Sequence, residues 1–148
     1  MGRFREIATV TAVLLGVVAP GLPTPPAQAG ELLPRVASAL EAKDPAALAR
    51  LFPADRKVRV SLDRIADLQG FVGSGPLIEA LRRYLVSRVE VRFEPDPGGS
   101  SGEGSEGTRV RGILSSRDRA GRRERIGLVF DFETIDGVRL AVAVRETG

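Results

Sequence analysis

From Ile126 to Val144 the chain repeats with a period of two, a pattern that belongs to strands. On the first arm Ile126, Leu128, Phe130 and Phe132 alternate with Gly127, Val129, Asp131 and Glu133; on the second Leu140, Val142 and Val144 alternate with Arg139, Ala141, Ala143 and Arg145. Between them, Asp136-Gly137 is the pair that a two-residue type I′ turn selects. That turn would set Phe132 opposite Ala141 and send Leu140, Val142 and Val144 to the other face, because a slip of one residue inverts every side chain. A three-residue loop, residues 135–137, with Gly137 left-handed in a G1 bulge, instead pairs Phe132 with Leu140, Phe130 with Val142 and Leu128 with Val144. It also sets Glu133 opposite Arg139, an opposite-charge pair. The hydrophobic register therefore predicts the bulged loop.

Upstream, residues 1–29 read as a cleavable leader and not as fold. Arg3 and Arg5 precede an apolar run from Ile7 to Val18, too short to span a bilayer comfortably, and Pro20 to Pro26 leads to Ala27-Gln28-Ala29, an A-x-A cleavage signature. The expected product is an exported chain, periplasmic or secreted, with one domain over residues 30–148. It contains no cysteine and no histidine, which excludes disulfides, thiol catalysis, thiolate or imidazole metal ligands and a Ser-His-Asp triad. No cofactor and no metal site is expected. The chain carries twenty arginines against two lysines, and a formal charge of +3 that falls to +2 without the leader, too little to indicate a polyanion partner by itself.

In the mature chain, Leu32, Leu33, Val36 and Leu40 lie at helical spacing over residues 31–42, with Pro34 tolerable in a first turn. A second helix follows, with Asp44 as N-cap, Pro45 at the first position and Leu48, Leu51 and Phe52 buried, until Pro53 stops it. Val58, Val60 and Leu62 alternate inward along a strand. The clearest amphipathic helix runs from Pro76 to Ser87, with Leu77, Ile78, Leu81, Tyr84 and Leu85 on one face. Val89, Val91 and Phe93 then open a run of four antiparallel strands, interrupted by a flexible Gly/Ser/Glu loop at 95–107 and a turn at 118–121. The class is α+β: a curved antiparallel sheet packed on N-terminal helices and one long amphipathic helix.

Three segments resemble the NTF2-like superfamily, the cystatin-type cone shared by SnoaL-like proteins and ketosteroid isomerases. Residues 42–52, with Asp44 as an acidic cap before Leu48, Leu51 and Phe52, resemble the family's opening helix. Phe71 and Gly73 followed by Ile78, Leu81 and Leu85 are similar to its approach to the long helix. Phe130 and Phe132, through Gly137 to Leu140 and Val142, are similar to its closing hairpin. The resemblance implies a sheet closing over the long helix around a conical pocket, frequent dimers, and roles from isomerase or dehydratase to plain binding; fold alone does not choose among them.

An enzyme of this type would point acid–base groups into the cone. The alternation gives an inner face of Val58, Val60, Leu62, Val89, Val91, Phe93, Val110, Gly112, Leu114, the four apolar residues from Ile126 to Phe132, and Leu140, Val142 and Val144, none of them ionisable. Tyr84 is the one polar group expected to face the cone, and Asp63 and Asp67 stand near its mouth; these three are the ligand-pocket candidates. Tyr84 more simply serves as a core aromatic, and the two aspartates as turn residues. The GxGxxG pattern at 102–107 leads into a strand and carries Glu103 and Glu106, so it is not a dinucleotide site. Arg109, Arg111, Arg122, Arg123 and Arg125 are candidates for anion contact on the middle hairpin, or a charged edge that resists aggregation. With no aromatics among them, nucleic acid is not expected. Small apolar residues on the outer face, Ile113, Gly127, Val129, Ala141 and Ala143, suggest a homodimer through that face. The apolar inner face favours a non-enzymatic domain that binds a small apolar ligand or a protein partner in the cell envelope. The alternatives are a dehydratase or isomerase using Tyr84 with Asp63 or Asp67, and electrostatic attachment through the arginine hairpin.

Overall fold

A computed structural model describes residues 28–96, 102–103 and 108–147. Helix α1 spans Gln28–Ala42 and buries Leu32, Val36, Ala39 and Leu40. It begins before the predicted start, so Pro34 sits in its second turn. Helix α2, Pro45–Ala49, is capped by Asp44, whose side chain accepts a hydrogen bond from the Ala46 backbone N–H at 3.1 Å, as the Asp-Pro pair predicts. Leu48, Leu51 and Phe52 are all buried. The expected leader lies outside the described residues except for Gln28 and Ala29, and most of the expected loop at 95–107 lies outside them too.

Strand β1, Val58–Leu62, buries every second residue. It pairs antiparallel with β2, Leu68–Val72. Helix α3, Ser74–Val86, buries Leu77, Leu81, Tyr84 and Leu85. Strand β3, Arg88–Pro95, opens with a register shift between Arg88 and Glu90. Val89, expected inside, is consequently 50% exposed. A short β4, Gly102–Glu103, pairs with the start of β5, Thr108–Asp118. Strands β6, Arg123–Ile135, and β7, Val138–Thr147, complete one sheet of order β2-β1-β7-β6-β5-β3. The sheet is mixed and not wholly antiparallel, because β7 runs parallel to β1, with Arg59 beside Ala143 and Val60 beside Val144.

The closing hairpin corrects the predicted register. Asp136 and Gly137 have φ of 52° and 83° and form a two-residue turn flanked by the Ile135–Val138 pair, as a type I′ turn requires. Thr134 thus faces Arg139, Glu133 faces Leu140 and Phe132 faces Ala141. One step later the register shifts, so that Asp131 faces Ala143 and Phe130 faces Val144. Val142 is the additional residue of a β-bulge on β7. This single insertion reconciles a strong turn signal with burial: Ala141 and Val144 point into the core, while Leu140 and Val142 are only half-buried. Ala141, expected outside, is completely buried, and its N–H donates to the Leu51 carbonyl at 2.6 Å.

The core lies between the inner face of the sheet and the three helices, and it is aromatic at its centre. Phe93 and Phe130 meet edge to face at 6.1 Å, and Phe132 lies 6.5 Å from Phe130. Phe93 rests on Gly112, where a methyl group would collide with its ring and with the Glu94 carbonyl. Phe130, Phe132 and Leu81 expose 0%, 0% and 1% of their surface, so no water-sized space adjoins them. Around these three side chains the cone is filled.

The observed register makes position 141 tight and position 140 permissive. Ala141→Leu should cost about 1–3 kcal/mol by overpacking against Phe132, whereas Leu140→Ser should cost less than about 1 kcal/mol. Urea unfolding of both variants checks this, and the opposite ranking would restore the three-residue loop.

Candidate functional site

Continuing the inward alternation of β6 back from Ile126 brings Glu124 onto the same face, and continuing β5 forward from Leu114 brings Ser116; the two are register partners. The inner face is therefore not free of ionisable groups, as the sequence reading held. Both residues sit where β5 and β6 approach the C-terminal turn of α3, and Tyr84 projects from that turn. The Tyr84 hydroxyl donates to Glu124 Oε1 at 2.8 Å and lies 3.2 Å from Ser116 Oγ. With its proton on Glu124, Tyr84 accepts from Ser116.

Two arginines complete the cluster. The Arg88 guanidinium lies 4.5 Å above the centre of the Tyr84 ring and bonds Glu124 Oε1 at 3.1 Å. Arg64 bonds Glu124 Oε2 at 3.0 Å, and the backbone N–H groups of Arg64 and Ile65 both donate to the Glu146 carboxylate at 2.9 Å. One carboxylate thus ties together the β1–β2 turn, α3, the start of β3 and the β5–β6 hairpin. Lys43 Nζ, donating to the Arg88 carbonyl at 2.7 Å, adds the end of α1.

The electrostatics move the two central groups apart. Burial pushes the Tyr84 hydroxyl above its ordinary pKa; the Ser116 bond opposes the shift and the Glu124 contact adds to it. Burial also acts to raise Glu124, but the bonds from Tyr84 and Arg64 and the charges of Arg88 and Arg64 outweigh it and hold the carboxyl below the usual carboxylate range. Glu124 is thus a weak base and Tyr84 a weak acid at neutral pH. General acid–base work needs the reverse, pKa values drawn toward the working pH.

Of the predicted pocket candidates, only Tyr84 belongs to this cluster. Asp63 and Asp67 are exposed in the β1–β2 turn: Asp63 accepts from Gln69 at 2.5 Å, and Asp67 holds a left-handed backbone with φ of 49°. The turn meets Tyr84's partners through Arg64 instead. Glu124 and Ser116 were accessible from sequence by carrying the alternation two residues past its apolar part. Arg64 and Arg88 had no such signal, since one reaches in from a turn and the other from a bulged strand start.

The arginine candidates fall on the opposite face or at the turn. Arg109 pairs with Asp131 at 2.7 Å, and Arg122 with Asp118 at 2.9 Å, where Asp118 also accepts from the backbone of Ala120 and Arg122. Arg111 is half-buried beside Val129, its register partner, which despite its outward direction is 1% exposed. Arg123 and Arg125 are exposed and flank Glu124 on β6, pointing outward where it points inward. Among the described residues, no group of three or more carboxylates is placed to hold a metal ion.

No family model matches the chain, and no curated protein matches it. Solved structures do. An NTF2-like superfamily protein from Salmonella enterica superposes with a TM-score of 0.61 at 12% identity, covering 81% of this chain and 89% of its own. The Kfla4162 protein from Kribbella flavida gives 0.64 at 14% identity, covering 82% and 88%. A DUF4783 family protein from Bacteroides fragilis gives 0.54 at 15% identity, covering 75% and 92%. At such identities the likeness carries the fold alone, and that fold is the NTF2-like cone expected from residues 42–52, 71–85 and 130–142.

The Glu124 hub should matter to stability and in a pH-dependent way. Glu124→Gln keeps an acceptor for Tyr84 but loses both ion pairs, and should cost about 1–2 kcal/mol at pH 7. Because the folded carboxyl titrates below its unfolded value, its contribution is complete above the unfolded pKa and lost as pH falls through the folded one. Urea unfolding of wild type and variant should therefore converge below about pH 4. A gap that stayed constant well below that pH would show that the charge is not what stabilises the hub.

Proposed function

We propose that this chain is an exported, non-enzymatic NTF2-like domain that binds a partner in the cell envelope through the outer face of its sheet. The filled cone carries this reading. Phe130, Phe132 and Leu81 stand at the centre of the core between sheet and helices, and their burial leaves no room beside them. Of the two occupants expected from sequence, a small apolar ligand and a protein partner, this supports the second.

The polar cluster at the mouth agrees with a binding role. Both oxygens of Glu124 are engaged, Oε1 by Tyr84 and Arg88 and Oε2 by Arg64, and these bonds hold its carboxyl below the usual carboxylate range. The dehydratase or isomerase alternative paired Tyr84 with Asp63 or Asp67, and neither aspartate bonds to it among the described residues. The network instead rigidifies the sheet end that presents Arg123 and Arg125 outward. Export is supported by the leader-like residues 3–29 of the sequence.

A filled cone predicts that the purified protein carries no small molecule. Native mass spectrometry should give the mass of the polypeptide alone, and 1-anilinonaphthalene-8-sulfonate should show no stoichiometric site. A bound molecule at one per chain, lost in Leu81→Trp, would overturn the reading and return the function to the cone.

A further inference from the structure

Building on that surface-binding reading, we infer that the partner of the outer sheet face is an anionic lipid bilayer surface. On the paired body of the sheet, each outward carboxylate already has its own arginine: Asp131 has Arg109, Glu90 has Arg117 and Glu94 has Arg92. Arg59, Arg123, Arg125 and Arg145 are exposed on the same face and make no hydrogen bond or ion pair from their side chains among the described residues. Glu133 lies beyond this body, where the β6–β7 hairpin outruns β5. The face is left with an excess of positive charge that nothing in the fold neutralises.

That charge runs diagonally over three neighbouring strands. Arg59 is on β1, level with Asp131 of β6, Arg145 is on β7, level with Val129, and Arg125 and Arg123 follow on β6. Strand spacing of about 4.8 Å and a rise of about 3.4 Å per residue spread them over roughly 10 Å across the strands and about 27 Å along them. A layer of anionic head groups offers phosphates along the whole of that stripe. Phe71 supplies the second feature. It faces outward on the edge strand β2 directly beside Arg59 and is 68% exposed, the most exposed large apolar side chain among the described residues. An aromatic ring at the rim of a basic face can enter the acyl boundary while the arginines contact phosphates. The homodimer expected on this face would instead bring the unpaired arginines of two copies together.

The test is co-sedimentation of the full chain with vesicles of phosphatidylglycerol mixed into phosphatidylcholine, against phosphatidylcholine alone. The leader carries Arg3 and Arg5 before its apolar run and adds the same attraction to wild type and variants, so the change between them on anionic vesicles is what is read. Binding should favour the anionic vesicles at about 0.1 M salt and lose that preference near 1 M, where screening acts within about 3 Å. Arg123→Gln combined with Arg125→Gln should weaken the preference about 25-fold, at about five-fold per arginine removed, with little change in the urea midpoint, since neither side chain makes a hydrogen bond or ion pair among the described residues and Arg123 acts on Glu90 only through its charge. Phe71→Ser should weaken binding to anionic vesicles at every salt concentration. Equal binding to both lipids, an unaffected double variant, or retention on heparin without vesicle binding would each overturn the lipid assignment. Any of these with an empty cone leaves the surface-binding reading standing, whereas a ligand found in the cone removes that reading whatever the vesicles show.

Discussion

Strand β7 bonds on both edges, antiparallel to β6 and parallel to β1, so its register determines where nearly every other strand can sit. Two local demands on it conflict. The Asp136-Gly137 turn sets one phase of alternation, through two consecutive left-handed residues that few other pairs tolerate. Burial requires the opposite phase from Val144 onward, because Val144 must meet Phe130 inside and Arg145 must remain in water. The chain satisfies both by adding Val142, which leaves two residues of β7 opposite Asp131. A bulge costs little more than one unpaired step of the ladder, whereas a regular strand would bury Arg145 or expose Val144. The adjoining Ala141 N–H, which has no β1 partner at that point, is satisfied by the Leu51 carbonyl, so the helical layer also depends on this register.

Much of the fold was legible in the residues. Asp44-Pro45 encodes a helix start through side-chain capping and a fixed φ, and Val58, Val60 and Leu62 encode a half-buried strand; both are local effects that tertiary packing did not override. The hairpin register was not legible, because alternation and turn chemistry point in opposite directions and only a tertiary count of buried residues decides between them. Strand β2 was hidden for a different reason. Leu68, Gln69, Gly70, Phe71 and Val72 form an edge strand whose Phe71 faces outward, so its apolar residues do not fall on one phase.

The site divides in the same way. Tyr84 was placed correctly on the buried stripe of α3, but its partners could not be found by looking for apolar residues. An inner face does not stop where its hydrophobic residues stop: at the rim the same alternation continues in Ser116 and Glu124. A carboxylate there is tolerable because solvent is near and three donors converge on it, so that the desolvation cost is offset by hydrogen bonds and by the charges of Arg64 and Arg88. Each donor that stabilises the anion lowers its affinity for a proton, and what remains is a joint between five elements.

Strand β6 shows how one segment serves both sides of the domain. Arg123, Glu124, Arg125 and Ile126 are consecutive, and the pleat sends the two arginines to water and the other two residues to the joint and the core. Immobilising Glu124 therefore fixes the backbone that carries the arginines, and the Arg125 carbonyl accepts from Arg64 of the same joint at 3.3 Å. The charged face is held in shape from both sides of the sheet, by this joint and by the Arg109–Asp131 and Arg117–Glu90 pairs. Side chains that make no ion pair within the fold can be given to binding, and the exposed arginines of the outer face meet that condition better than Tyr84 and Glu124, which are bonded to each other and to their neighbours.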